Sequence, residues 1–321
     1  MKRVVVGSLL SLLLAAGIFL GYGGWHTATT LEGVLRVGGS TAQGDGWPAP
    51  ETPFDIGFKG NPAVALDFAY EDVVIESELG PMPAWLVLPE HGGLQETTWG
   101  IIVHGIGGRR ENGYRFLPHF RAADMPTLLV SYRNDEDAPR DPSGFYAFGL
   151  TEWRDLEAAA DYALGRGATS LVLLGESMGG GIVGQFMRRS DRAERVSGLA
   201  FDAPAFDFPA VLVSQMEKAG APLPKVLAPV GMRLFALRNG LAIAETDVTE
   251  TISEFSGPVF VSHGSADRIV PAAGTEAMVK RRTGATEYLR TDADHILSWK
   301  SGPAAYDAAL GAFLKQAAGQ R

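Results

Sequence analysis

A serine hydroxyl is a poor nucleophile unless the chain bends it out of regular structure and a base takes its proton. Residues Leu171 to Gly181 read LVLLGESMGGG, so four apolar residues run straight into Gly175-Glu176-Ser177-Met178-Gly179, with helix-compatible sequence after them. The GxSxG spacing predicts a buried strand turning sharply into a helix, with a strained serine at the turn. Glycine is required at 175 and 179 because a Cβ there would collide with its neighbours in so tight a bend. Ser177 is the candidate nucleophile. A chain with 40 glycines can also produce this pattern by chance, so the partners downstream decide.

Those partners are Asp267, in Gly264-Ser265-Ala266-Asp267-Arg268-Ile269-Val270-Pro271, and His295, in Asp292-Ala293-Asp294-His295. Both follow predicted strands directly and would reach the same sheet edge as Ser177, in the chain order serine, acid, histidine. His295 is then the general base and Asp267 its orienter. Asp202, at the end of another strand, is the alternative orienter, while Asp292 and Asp294 lie too close in sequence to fold back onto the imidazole. His26 falls in a tether, His91 and His119 have no obvious route to the elbow, and His104 and His263 precede glycines at strand ends, which suits a supporting role. Negative charge growing on an attacked carbonyl oxygen needs fixed donors. The candidates are the backbone N–H of Met178 and that of Ile106 in His104-Gly105-Ile106-Gly107-Gly108, with Gly107 as second choice. Such acyl transfer needs no metal and no organic cofactor.

The elements that must hold these residues alternate along the chain. A β-hairpin over Tyr70 to Glu78 and Pro83 to Pro89 opens the sheet. Strands follow at Trp99 to His104, Thr127 to Tyr132, the elbow, Val196 to Phe201, Pro258 to His263 and Thr286 to Leu289. Helices are expected at Asn112 to Ala123, at Glu152 to Leu164 capped by Thr151, from the elbow to about Ser190, at Ala272 to Arg282 and at Ala304 to Ala317. Strands alternating with helices make a doubly wound, mostly parallel sheet, the α/β class, whose ligands sit beyond the carboxyl ends of the strands. Arg133 to Leu150 reads as a polar surface loop near the site. Ala205 to Glu250 breaks the alternation with two or three short amphipathic helices, expected to cap the site.

Taken together, HGIGG, the YRND after the next strand, GESMGGG, HGSADRIVP and ADH resemble, in order, the α/β-hydrolase superfamily, and within it the monoacylglycerol lipase-like and serine aminopeptidase-like branch. The resemblance spans about Pro62 to the C-terminus. It implies an α/β-hydrolase fold with a helical cap, and a triad of Ser177, Asp267 and His295. Substrate is left open, since one framework serves esterases, lipases, peptidases and acyltransferases.

Hydrophobic residues form 46% of the chain and charged residues 20%, which argues against wholesale disorder. A net charge of -9 and no long Lys/Arg run argue against a nucleic-acid partner. The absence of cysteine excludes disulfides, thiolate catalysis and Cys-ligated zinc. After Met1-Lys2-Arg3, the uncharged stretch Val4 to Tyr22 would span roughly 28 Å as a helix, close to the thickness of a bilayer core. The expected organisation is an anchor or signal over 1–24, a linker over 25–61 with a short strand at Val34 to Val37, and a hydrolase domain over 62–321 with its cap at about 205–250. An uncleaved anchor is favoured over a cleaved signal, which would place the catalytic part outside the cytoplasm.

The reading is a membrane-tethered serine hydrolase acting on an acyl ester, carboxylesterase- or lipase-like. A serine peptidase, an acyltransferase and a non-catalytic binding protein on the same scaffold are the alternatives.

Overall fold

The computed structural model describes residues 2–39, 47–95 and 97–319. Its strands are β1 (Tyr70–Ser77), β2 (Gly80–Val87), β3 (Thr97–Val103), β4 (Thr127–Val130), β5 (Ala168–Glu176), β6 (Val196–Asp202), β7 (Val259–Gly264) and β8 (Thr286–Thr291). They form one sheet in the order β1-β2-β4-β3-β5-β6-β7-β8. β1 pairs antiparallel with β2 and β2 with β4, and every later pairing is parallel. The sheet is therefore the expected mixed one, opened by an antiparallel hairpin.

The helices are α1 (Lys2–Leu35), α2 (Pro62–Leu66), α3 (Leu117–Ala122), α4 (Trp153–Gly165), α5 (Met178–Arg189), α6 (Phe208–Lys218), α7 (Pro224–Asn239), α8 (Thr249–Glu254), α9 (Ala272–Arg281), α10 (Ser298–Ser301) and α11 (Pro303–Ala318). Central strands are apolar on both faces because both are covered. In β5, Leu171 and Leu173 join one buried cluster, with Ile182 and Phe186 of α5, while Val172 and Leu174 join the other, with Leu310 and Phe313 of α11. From β3 the chain steps outward to β4 and then crosses back past β3 to β5. The carboxyl ends of β3 and β5 flank this reversal, the place where such sheets bind ligands.

Several local expectations are corrected. The helix over Asn112 to Ala123 is a 3-10 turn at Arg110–Gly113 followed by the short α3. Proline has no N–H to donate and fits only the first turn of a helix, so Pro118 sets the start at Leu117. Glu152, not Thr151, caps α4, and its carboxylate instead accepts the N–H groups of Ala147 and Gly149 at 2.7 and 2.9 Å. The loop over Arg133 to Leu150 is largely buried, because Arg133 is clamped by Asp155, Asp141 and Glu78.

The N-terminal third departs furthest. The helix does not end before a linker at residue 25 but runs to Leu35. Gly24, Thr27, Ala28, Leu31 and Leu35 recur at helical spacing and are buried against α7. Small residues permit this approach: a Cβ on Gly24 would lie 2.4 Å from Val230 Cγ1, and one on Gly231 would lie 2.4 Å from Thr27 Cγ2. The other half is bare, with Leu9, Leu10, Leu13, Leu14 and Ile18 all exposed.

The strand expected at Val34 to Val37 shrinks to one bridge, Arg36 with Phe145. Tyr146 N–H donates to the Leu35 carbonyl at 2.8 Å, and Val37 N–H to that of Gly144 at 3.0 Å. Of the expected linker, residues 40–46 lie outside the described residues. Residues 47–61 form a strap packed on the domain rather than a free tether. Phe54 meets Trp299 edge-on at 6.1 Å, Phe58 meets Tyr114 at 6.2 Å, and Lys300 pairs with Asp55.

Candidate active site

Ser177 stands between β5 and α5 with φ 50 and ψ -116, a conformation that residues bearing a Cβ rarely adopt. The bend is held from three sides. Ser177 N–H donates to the Asp202 carbonyl at 2.9 Å, and the Ser177 carbonyl accepts from Gly180 and Ala205 at 3.0 and 2.9 Å. A Cβ on Gly175 would lie 2.6 Å from the Gly179 oxygen, and one on Gly179 would lie 2.2 Å from the Val103 oxygen. Both glycines are therefore sterically obligatory.

His295 follows β8 and Asp267 follows β7. His295 Nε2 lies 2.9 Å from Ser177 Oγ, and Nδ1 lies 2.7 Å from Asp267 Oδ2. An ionised carboxylate only accepts, so Nδ1 carries the proton and Nε2 is the basic nitrogen facing the serine. Asp267 Oδ1 accepts the N–H groups of Ile269 and Val270, each at 2.8 Å. Burial alone would raise the Asp267 pKa, but hydrogen bonds from His263, His295 and backbone hold it well below the usual carboxylate range. The loops carrying Asp267 and His295 are joined through Asp294, which accepts from Arg268 N–H at 3.0 Å and Arg268 Nε at 2.7 Å.

Asp202, the alternative orienter, does not contact the imidazole. Its Oδ2 lies 3.0 Å from Arg115 Nη2, and its Oδ1 accepts from Ser262 Oγ at 2.7 Å. Arg115 also pairs with Glu176, so one buried arginine is shared by two carboxylates beneath the elbow. His91 and His119 pair with Asp124 and Asp307, away from Ser177.

Ile106 lines the cavity beside Ser177, and Met178 is fully buried at the first position of α5. Among the described residues, neither of their N–H groups donates to a protein acceptor, as expected for the first turn of a helix and for a tight loop. The loop bearing Ile106 rests on His104. Its Nδ1 lies 2.9 Å from the Gly105 carbonyl and its Nε2 2.9 Å from Asp135 Oδ2. Both neighbours are acceptors, so both ring nitrogens donate. Burial by itself would lower the His104 pKa, but the charge and hydrogen bond of Asp135 raise it. Tyr132 stacks on the ring at 4.4 Å, and its hydroxyl donates toward the carbonyls of His104 and Gly105.

Ser177 and His295 open into a cavity of about 780 Å³. Its walls come from the loop after β3, from Asn134 to Tyr146, and from the N-terminal residues Val37, Gly38, Trp47, Ile56, Gly57 and Lys59. No residue of 205–250 lines it, which corrects the expectation that this insertion caps the site. The buried side of α7 is already occupied by α1, and the strap stands where a cap would. Sequence reading missed the strap because its Gly- and Pro-rich composition has no periodicity. Tyr132 and Asp135 carried only a motif signal, YRND.

No family model and no curated protein matches the chain by sequence. Solved structures do match. An esterase from Pyrococcus furiosus superposes with a TM-score of 0.63 at 18% identity, covering 85% of this chain and 99% of that one. The ferulic acid-bound Est1E of Butyrivibrio proteoclasticus gives 0.58 at 17% identity over 76% of this chain and 98% of that one. A thermophilic esterase from Thermogutta terrifontis gives 0.54 at 18% identity over 77% and 99%.

Proposed function

The chain has the α/β-hydrolase fold, and on that scaffold we propose that it is a serine hydrolase cleaving small acyl esters. The observation that carries the reading is His295, whose two ring nitrogens bridge Ser177 Oγ at 2.9 Å and Asp267 at 2.7 Å.

As Ser177 Oγ attacks the ester carbonyl, its proton passes to His295 Nε2. Asp267 stays ionised and stabilises the imidazolium through Nδ1–H. The carbonyl oxygen becomes an oxyanion, received by the free N–H groups of Met178 and Ile106. Collapse expels the alcohol, which takes the proton from Nε2 and leaves an acyl group on Ser177. Water, deprotonated by the same nitrogen, then releases the acid and restores the serine.

The exposed half of α1 supports membrane attachment. From Val6 to Leu35 the helix is apolar enough to cross a bilayer. Cleavage near Thr27 would cut α1 within the part docked on α7, which favours an uncleaved anchor holding the hydrolase domain at the membrane surface. The basic residues Lys2 and Arg3 favour a cytoplasmic N-terminus and an extracytoplasmic domain.

The test is labelling of the full-length protein in detergent by a fluorophosphonate, beside hydrolysis of 4-nitrophenyl butyrate. Both activities are expected, and both should vanish in Ser177→Ala. Labelling that survives this substitution would reject Ser177 as the nucleophile.

A further inference from the structure

Charged side chains of both signs line the catalytic cavity. Each of its acidic side chains faces a base: Asp135 faces His104 at 2.9 Å, Glu136 faces Arg109, and Glu176 shares Arg115 with Asp202. Two basic side chains on its walls, Lys59 and Arg140, have no carboxylate partner among the described residues, and both are exposed. Two exposed cations without a carboxylate partner among the described residues thus line the cavity of a chain whose net charge is -9. Nothing in folding requires an acidic protein to gather two unpaired cations at the entrance to its nucleophile. Exposed, unpaired cations beside a cleft do, however, raise the local concentration of anionic ligands.

Lys59 is held in place by its backbone. On one side of it the strap is fixed by Phe54 against Trp299 and Asp55 against Lys300. On the other, the Tyr114 hydroxyl donates to the Gly60 carbonyl. Burial, with the charges of Asp135 and Glu152, pushes the Tyr146 phenol up to about 12, so it remains an O–H donor on the same wall.

Resting on the ester-hydrolase reading, we propose that this pocket takes esters carrying a negatively charged group, received by Lys59 of the strap and Arg140 of the loop after β4. The stretch joining the apolar helix to the sheet is on this account a specificity element. A substrate with a free ammonium group meets the wrong sign.

The experiment uses full-length protein in detergent and three esters: neutral 4-nitrophenyl butyrate, mono-4-nitrophenyl glutarate with its charge on the acyl side, and 4-acetoxybenzoate with its charge on the alcohol side. The readout is kcat/KM for each charged ester relative to the neutral one, which cancels general loss of activity. Whichever charged ester is preferred identifies the side of the scissile bond that faces the cations. In Lys59→Gln/Arg140→Gln that ratio should fall about tenfold, at about two- to fivefold per exposed cation, and it should also fall with added salt. Calorimetric binding of glutarate to Ser177→Ala, lost when the two cations are also replaced, reads the anion site without turnover. Equal ratios in wild type and the double variant, with no glutarate binding, would overturn the proposal. Glutarate binding with no hydrolysis of any ester and no fluorophosphonate labelling would overturn the hydrolase reading instead, and the ester proposal with it.

Discussion

His263 stands behind Asp267, its Nε2 3.2 Å from Oδ2, the same oxygen that accepts from His295 Nδ1 at 2.7 Å. His263 Nε2 also lies 3.0 Å from the Val270 carbonyl, and its Nδ1 lies 2.8 Å from Thr275 Oγ1. Acceptors at Nε2 and a hydroxyl at Nδ1 assign the proton to Nε2. His263 therefore acts on the Asp267 carboxylate and shares its Oδ2 with His295. Replacement by Phe keeps a ring but leaves a buried hydroxyl and a buried carbonyl unpaired. His263→Phe should cost about 1–3 kcal/mol in denaturant unfolding, with kcat falling several-fold and KM little changed. An unaltered kcat would mean that the Ile269 and Val270 amides hold Asp267 unaided.

Asp267→Asn should leave the fold intact and lower kcat by about four orders of magnitude, the size expected when the base is held in the wrong tautomer. The carboxylate also links stability to pH. Its pKa in the folded protein lies below the unfolded value of about 3.9. It therefore stabilises the protein fully above that value, and the contribution disappears as pH falls through the lower folded one. Unfolding curves of wild type and Asp267→Asn should converge as pH drops below about 4. Asp202→Asn is expected to behave differently, loosening the buried Arg115 pair and losing stability at neutral pH without a loss of turnover specific to the base.

The φ of 50 at Ser177 is imposed on a residue with a Cβ, a strain of about 1–3 kcal/mol. Ala keeps that strain and Gly removes it. Ser177→Gly should therefore be more stable than Ser177→Ala by about 1 kcal/mol, as measured by urea unfolding. Equal stabilities would show that the surrounding hydrogen bonds, not the Cβ, set the cost. Neither variant should turn over ester.

The docked half of α1 behaves as part of the domain. Removing residues 2–22 should give a stable, more soluble protein, whereas removal through Val37 should strip Leu227, Val230 and Leu234 of cover and cause aggregation. A gentler probe is Leu31→Ala or Leu35→Ala, both residues being fully or almost fully buried, with an expected loss of about 2–5 kcal/mol each. Truncation through Val37 that remained soluble and active would reduce α1 to an anchor alone.

The sequence by itself determined the parts whose signal is local. An apolar run ending in GESMG has few conformations open to it, since the strand must be buried and only glycine tolerates the 2.6 and 2.2 Å approaches at 175 and 179. Placement of Asp267 and His295 after successive strands followed from the alternation of elements, and so did the mostly parallel sheet. Long-range contacts were not legible. A stretch such as 47–61 carries no period, and nothing local says that Phe54 will find Trp299 or that Tyr146 will bond Leu35. The boundary of α1 was missed for the same reason: glycines at 23 and 24 permit close contact with α7, some two hundred residues away in the chain. Only the tertiary structure decided which carboxylate faces His295, because Asp202 and Asp267 both end strands and only the charge of Arg115 beneath the elbow claims one of them. It alone decided that the strap, not the helical insertion, lines the cavity at Ser177, since enclosure depends on which distant surfaces meet and no residue spacing records that.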